Sequence, residues 1–247
     1  SYLGFDVGSY GNTGIVSGAG SVWTNVVDFF IGYRGHGNLL VVTNGGLARQ
    51  PLGYVGYGGA ASNNAAVVTG SNSVWTLTSN LFVGYSGTVN TLTVSDGGLV
   101  SNRAGVIGLE WMAVSNTAVV SGADSVWLNE SELYVGYDGG GNSLVVTNDA
   151  VVYSAGAYVG YGASSDGDRV LVSDSASAWQ NNGNLYHGVW GGGNSLVVSN
   201  GAAMINWSAI LGYDAGATGN TAVLSGSGSA WTCGVDLYAG YAGSGNG

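Results

Sequence analysis

The feature that most constrains this chain is a repeat that never slips. An Asn recurs at Asn12, Asn38, Asn64, Asn90, Asn116 and Asn142, then at Asn194, Asn220 and Asn246. Neighbours in this column differ by 26 in sequence number, and by twice that across the one gap. The skipped position holds Asp168, an isostere of Asn. A Trp recurs at double the interval, at Trp23, Trp75, Trp127, Trp179 and Trp231. A Gly column (Gly4, Gly32, Gly56, Gly84, Gly108, Gly136, Gly160, Gly188, Gly212, Gly240) alternates a longer step with a shorter one, 28 then 24 in sequence number. The unit is therefore a 52-residue doublet of two unlike halves, here termed the Trp coil and the plain coil. A period of this kind is the signature of a stacked repeat architecture.

Each half carries three strand signals. One covers residues 81–85, with Leu81, Phe82 and Val83 before Gly84 and Tyr85; one covers 90–95; a short third covers 98–100 or 125–127. Gly-rich turns such as residues 138–141 separate them, and no window shows helical periodicity. Three short strands in each half, without helices, predict an all-β fold in which every half is one coil of a parallel β-solenoid. The chain then makes about nine and a half coils and spans roughly 45 Å at a spacing of about 4.8 Å per coil.

The columns predict the packing. Val16, Val42, Val68, Val94, Val120, Val146, Val172, Val198 and Leu224 form an apolar ladder placed inside. Two residues earlier, Leu40, Leu92, Leu144 and Leu196 of the plain coils alternate with Gly14, Ala66, Ala118, Val170 and Ala222 of the Trp coils. The first strand reverses this, with Leu81, Leu133, Leu185 and Leu237 against Gly53, Gly105, Ala157 and Ala209. Alternating large and small layers let a narrow core reach native density, which explains a doublet. One position beyond the Val ladder stand nine Ser or Thr, from Ser17 to Ser225, expected to face outward or into the following turn. The Asn column is expected to form an amide ladder. Aromatic columns flank the Gly: Tyr2, Phe30, Tyr54, Phe82, Tyr134, Tyr158, Tyr186 and Tyr238 before it, and Phe5, Tyr33, Tyr57, Tyr85, Tyr137, Tyr161, Tyr213 and Tyr241 after it. Lying three residues apart, they should point to opposite faces of the strand, the first set outward and the second core-like.

Composition removes other classes. The chain has 247 residues, 45% hydrophobic and only 7% charged, which excludes disorder. Its four basic residues and net charge of −10 argue against a nucleic-acid partner. Cys233 is alone, so no disulfide framework exists. No apolar run is long enough for a transmembrane segment. No charged-then-apolar leader opens the chain, which reads as a mature form or a fragment.

The doublet formed by Asn116 to Trp127, with Ser121, Gly122 and Ser125, then Leu133 to Tyr137, then Asn142 to Asn148, resembles the repeat of bacterial type V autotransporter passengers and PEP-CTERM-associated surface proteins. The resemblance covers essentially the whole chain. It implies a right-handed, single-stranded parallel β-helix on or outside the cell surface, and it carries no reaction with it.

Candidate chemistry is sparse. Asp166, Asp168 and Asp174, with Arg169 adjoining, read either as an acid cluster or weak Ca²⁺ site, or as one drifted repeat with a solvated charge pair. The second reading is preferred. Asp28, Asn80, Glu132, Asn184 and Asp236 form a polar column every second coil, of which two are neutral. His187 sits in an otherwise apolar column and reads as a satisfied or partly exposed side chain. Cys233 falls at a variable position shared with Asn25, Leu77, Asn129 and Asn181, with no base nearby. The Trp column either stacks on sugars or covers the core edge, the latter preferred. No catalytic residue, cofactor or metal is expected.

The chain starts in mid-doublet and stops in register, without capping repeats. It is expected to be a segment of a longer solenoid, or to have its ends completed by another copy. The expected function is non-enzymatic and structural: an extracellular or cell-surface rod, fibre or surface layer formed by coil stacking and self-association, end-to-end or lateral. The alternative is an adhesin that binds cell-surface or matrix polysaccharide through its outward aromatics.

Overall fold

The computed structural model describes all residues, 1–247. It contains 28 strands and no helix. The strands form three parallel sheets of ten, nine and nine strands, and each sheet takes every third strand of the chain. This is a right-handed parallel β-helix, the hand that strand twist imposes on crossovers between parallel neighbours. The first sheet runs from Tyr2–Leu3 to Leu237–Ala239, the second from Thr13–Ser17 to Thr221–Ser225, and the third from Val22–Thr24 to Ala230–Cys233.

Register follows the repeat. In the second sheet Val94 pairs with Val68 and Val120, one full Asn-column interval to either side. In the first, Phe82 pairs with Tyr54 and Val106, the same long and short steps that the Gly column takes. In the third, Trp127 pairs with Val100 and Val152, one position more and one position less than the common interval. The corners absorb the difference between the two coil types, and register is restored at every doublet.

The core is the predicted one except in the last coil, where Leu224 and Leu237, expected inside, are exposed because no further coil covers them. The Val ladder is buried from Val16 to Val198. In the second sheet, buried Leu40, Leu92, Leu144 and Leu196 are interleaved with Ala66, Ala118 and Val170. In the first sheet the large column, Leu81, Leu133 and Leu185, extends to Phe29, and all four are fully buried. Gly53 and Gly105 sit where both an indole and a second side chain, Leu77 or Asn129, crowd the backbone. A Cβ on Gly105 would lie 2.8 Å from Trp127 Cζ2, and one on Gly53 would lie 2.9 Å from Trp75 Cζ2. The hydroxyl column lies on the outer side as expected. Ser95 donates to Thr69 at 2.9 Å, and Thr147 to Ser121 at 3.2 Å.

Two strand boundaries differ from the sequence reading. The first strand ends at Val83, and Gly84 adopts φ +77°, so Tyr85 lies beyond the corner. The third strand is longer, Leu99–Asn102 and Val126–Asn129, because inward polar side chains continue it.

Candidate functional site

The expectation that the two aromatic columns face opposite sides is wrong. Both lie outside the core and pack on each other. Strand alternation would separate residues three apart, but the positive-φ Gly between them turns the chain and cancels the alternation. Rings stack along each column: Phe30 on Tyr54 at 4.6 Å, Tyr54 on Phe82 at 5.1 Å, Tyr33 on Tyr57 at 5.0 Å and Tyr57 on Tyr85 at 4.8 Å. Between columns the contact is edge-to-face, as for Tyr54 and Tyr57 at 5.1 Å and 90°. The stack resumes with Tyr134 on Tyr158 at 4.7 Å and Tyr158 on Tyr186 at 5.2 Å. Each such pair contributes about 0.5–1.5 kcal/mol beyond its area.

The polar column of Asp28, Asn80, Glu132, Asn184 and Asp236 lies at the corner before this face. The Tyr238 hydroxyl donates to Asp236 at 3.1 Å. Burial, then the charge of Asp28, pushes the Tyr54 phenol up to about 12. Burial, then Tyr158 and Glu132, raises Tyr134 above the usual phenol range. These phenols are therefore neutral at physiological pH. Within the stack each ring covers its neighbours' flat faces, and Tyr54 and Phe82 are buried, so the face offers ring edges and hydroxyls with no activated nucleophile.

Behind this face runs the buried Asn ladder. The Asn90 backbone N–H and Nδ2 both donate to Asn116 Oδ1, at 2.9 and 3.1 Å, and the Asn116 pair donates to Asn142 Oδ1 at 2.9 and 3.2 Å. Asn12, Asn38, Asn64, Asn194 and Asn220 repeat the pattern. Asp168 takes its turn as acceptor from Asn142, at 2.7 and 3.3 Å, while Ser165 Oγ lies 2.6 Å from its other oxygen. Burial raises the Asp168 carboxyl to about 7, against the lowering effect of the Ser165 and Asn142 hydrogen bonds.

The acid cluster does not assemble. Asp168 is fully buried, Asp166 accepts from the Gly192 N–H at 2.6 Å on the surface, and Asp174 lies past the far end of the strand Arg169–Ser173. Arg169 is exposed and has no ion pair; the single ion pair is Arg34 with Asp6, at 3.8 Å. No group of three His, Cys, Asp or Glu side chains converges on a metal-sized site.

The Trp column covers the core. Trp75, Trp127 and Trp179 are fully buried, and Trp23 and Trp231 pack against the core in the outer coils. Sequence reasoning missed the partners of these indoles. Trp75, Trp127, Trp179 and Trp231 donate to Gln50, Asn102, Ser154 and Asn206, at 2.6, 2.7, 3.0 and 2.7 Å. Those acceptors recur once per doublet, and the need of a buried indole N–H for an acceptor was the available signal. The position read as variable continues the relay: Asn102 Nδ2 donates to Asn129 at 2.8 Å, and Asn206 Nδ2 to Cys233 Sγ at 3.4 Å. His187 is fully buried, with Nε2 2.9 Å from the Thr221 carbonyl and Nδ1 without a partner. Burial lowers its imidazole to about 4.

No protein-family model matches this chain, and no curated protein or solved structure matches it either.

Proposed function

We propose that this chain is a non-enzymatic structural protein, a stiff rod that associates with copies of itself into a fibre or surface layer outside the cell. The observation that carries the reading is the unbroken register of all three sheets from end to end. A solenoid whose every coil templates the next has near-additive stability and resists bending. The nearly uncharged Ser/Thr/Asn exterior, with one exposed ion pair, lacks the interspersed charge that keeps β-proteins apart. The resemblance of the doublet to type V autotransporter passengers and PEP-CTERM-associated surface proteins agrees with an extracellular place. Sedimentation velocity over a hundredfold range of protein concentration tests the reading. Growing species support it; a single small species at every concentration rejects it.

A second reading is a rod that binds polysaccharide. The outward double stack of aromatic rings favours it, because extended apolar surface on a protein marks contact sites. Binding to insoluble glycans, measured by pull-down, separates it from a purely mechanical role.

A further inference from the structure

The outer surface of the second sheet carries an apolar stripe. The middle residue of each of its nine strands faces outward, and the stripe runs from Ile15 through Val41, Val67, Val119 and Val145 to Val223 in unbroken register. Every member is Ile, Val or Leu except Thr93. The central members are half-buried by the rungs on either side, and Ile15 and Val223 are exposed.

We propose that two copies of the chain pack together on this face, sheet against sheet. The face supplies the surface for the self-association reading above and rests on that reading. Three observations choose a second copy. The first is area. Strands of five residues, nine deep, make a face about 43 Å long and about 17 Å wide. Covering it removes on the order of 700 Å² from each copy and about 1,400 Å² from the pair, against the roughly 1,200–2,000 Å² of a stable complex. The second is charge. The strands of this sheet hold no acid, and Arg169 is their one charged residue. Asp96, Asp124, Asp149 and Asp174 stand aside at the corner that follows. The core of an interface is depleted of charge in this way. A cationic or anionic partner finds no counter-charge here, whereas an identical face matches it. The third is the hydroxyl flank. Ser95 donates to Thr69, Thr147 to Ser121 and Ser199 to Ser173, and the amides of Asn148 and Asn200 donate to Ser121 and Ser173. These hydroxyls are engaged within the coil stack, so a dry partner covers them without leaving them unpaired. Equal rung spacing on the two faces lets the β-branched side chains interdigitate. The third sheet is the weaker surface. Its strands offer two outward positions, as in Val74–Leu77 and Val126–Asn129, and one of the two columns mixes Thr24, Arg49, Leu128 and Tyr153.

Sedimentation velocity of the intact protein and its variants tests the face. Val119→Lys/Val145→Lys puts two ammonium groups at its middle and should raise the concentration needed for association about tenfold or more. Val67→Thr/Val119→Thr/Val145→Thr keeps the β-branch and strand preference while removing apolar surface, and should weaken association by a smaller factor. Leu128→Lys, outward on the third sheet, should leave association unchanged. Far-ultraviolet spectra and urea midpoints near those of the wild type show that each variant folds. Unchanged association in both second-sheet variants overturns this face and leaves the self-association reading in place. Loss of association in Leu128→Lys alone moves the contact to the third sheet, and the proposal fails. A wild type that stays one small species at every concentration overturns both the face and the reading. If that wild type instead binds insoluble glycan, and the lysine pair abolishes the binding, the occupant is a polysaccharide and the proposal fails.

Discussion

The side chain of Asn116 fills the space in which a Cβ on Gly84 would lie. That Cβ would stand 2.6 Å from Asn116 Oδ1, and Gly84 itself holds φ +77°. The same relation joins Gly32 to Asn64, Gly56 to Asn90, Gly108 to Asn142 and Gly188 to Asn220. The Gly and Asn columns are therefore one device. The Gly turns the corner, and its bare backbone admits the amide that hydrogen-bonds the neighbouring coils.

Gly84→Ala is expected to destabilise by roughly 2–4 kcal/mol, from the left-handed backbone and from displacing a buried amide out of its hydrogen bonds. Gly193 is the control. It has φ +65° and open space around it, so Gly193→Ala should cost only the backbone part, about 1–2 kcal/mol. Urea unfolding of the two variants checks the difference.

Stability should respond to pH through two buried groups with opposite signs. The folded state keeps a proton on Asp168 up to about 7, while the unfolded chain loses it near 3.8. Stability from this group is full at low pH, falls as pH rises through that window and stays reduced above it. His187 titrates at about 4 when folded and 6.5 when unfolded. Its contribution is present above 6.5 and is lost as pH falls toward 4. Asp168→Asn should raise stability at pH 8 by on the order of a few kcal/mol and leave a protein that weakens only toward acid. His187→Val should do the reverse, leaving a protein that weakens only toward neutral pH. Thermal melts from pH 4 to 8 read both slopes.

The buried indole and its acceptor should show strong coupling. Gln50→Leu leaves the Trp75 N–H without its 2.6 Å partner, and Trp75→Phe leaves Gln50 Oε1 unpaired. Each single change should cost about 1–3 kcal/mol beyond its packing effect, and the double variant should recover part of that loss. A double-mutant cycle by chemical denaturation measures it.

Ala118 lies between Leu92 and Leu144 in the second sheet. Ala118→Leu should overpack the layer and cost roughly 1–3 kcal/mol, visible as a lower urea midpoint with an unchanged slope.

Much of this fold is legible in the sequence because a solenoid turns distance in space into a fixed interval along the chain. The Val ladder, the alternating Leu and Ala layers and the burial of Trp127 and its equivalents all follow from columns. The error over Tyr57 and Tyr85 has one cause. Strand alternation was carried through a Gly whose positive φ ends the strand, so two columns that share a face were assigned to opposite faces. Asn102 and Ser154 were missed because their column mixes Gln, Asn and Ser, which differ in reach but serve the same indole. Asp168 was correctly matched to the Asn column, yet its burial and its pairing with Ser165 needed coordinates.

The central claim is a continuous rod that assembles with copies of itself, and cryo-electron microscopy of the purified protein at high concentration tests it most directly. Straight filaments or ordered sheets are expected, with averaged images that carry an axial repeat of about 4.8 Å. Isolated particles roughly 45 Å long at every concentration, with no lateral or end-to-end contacts, would contradict it.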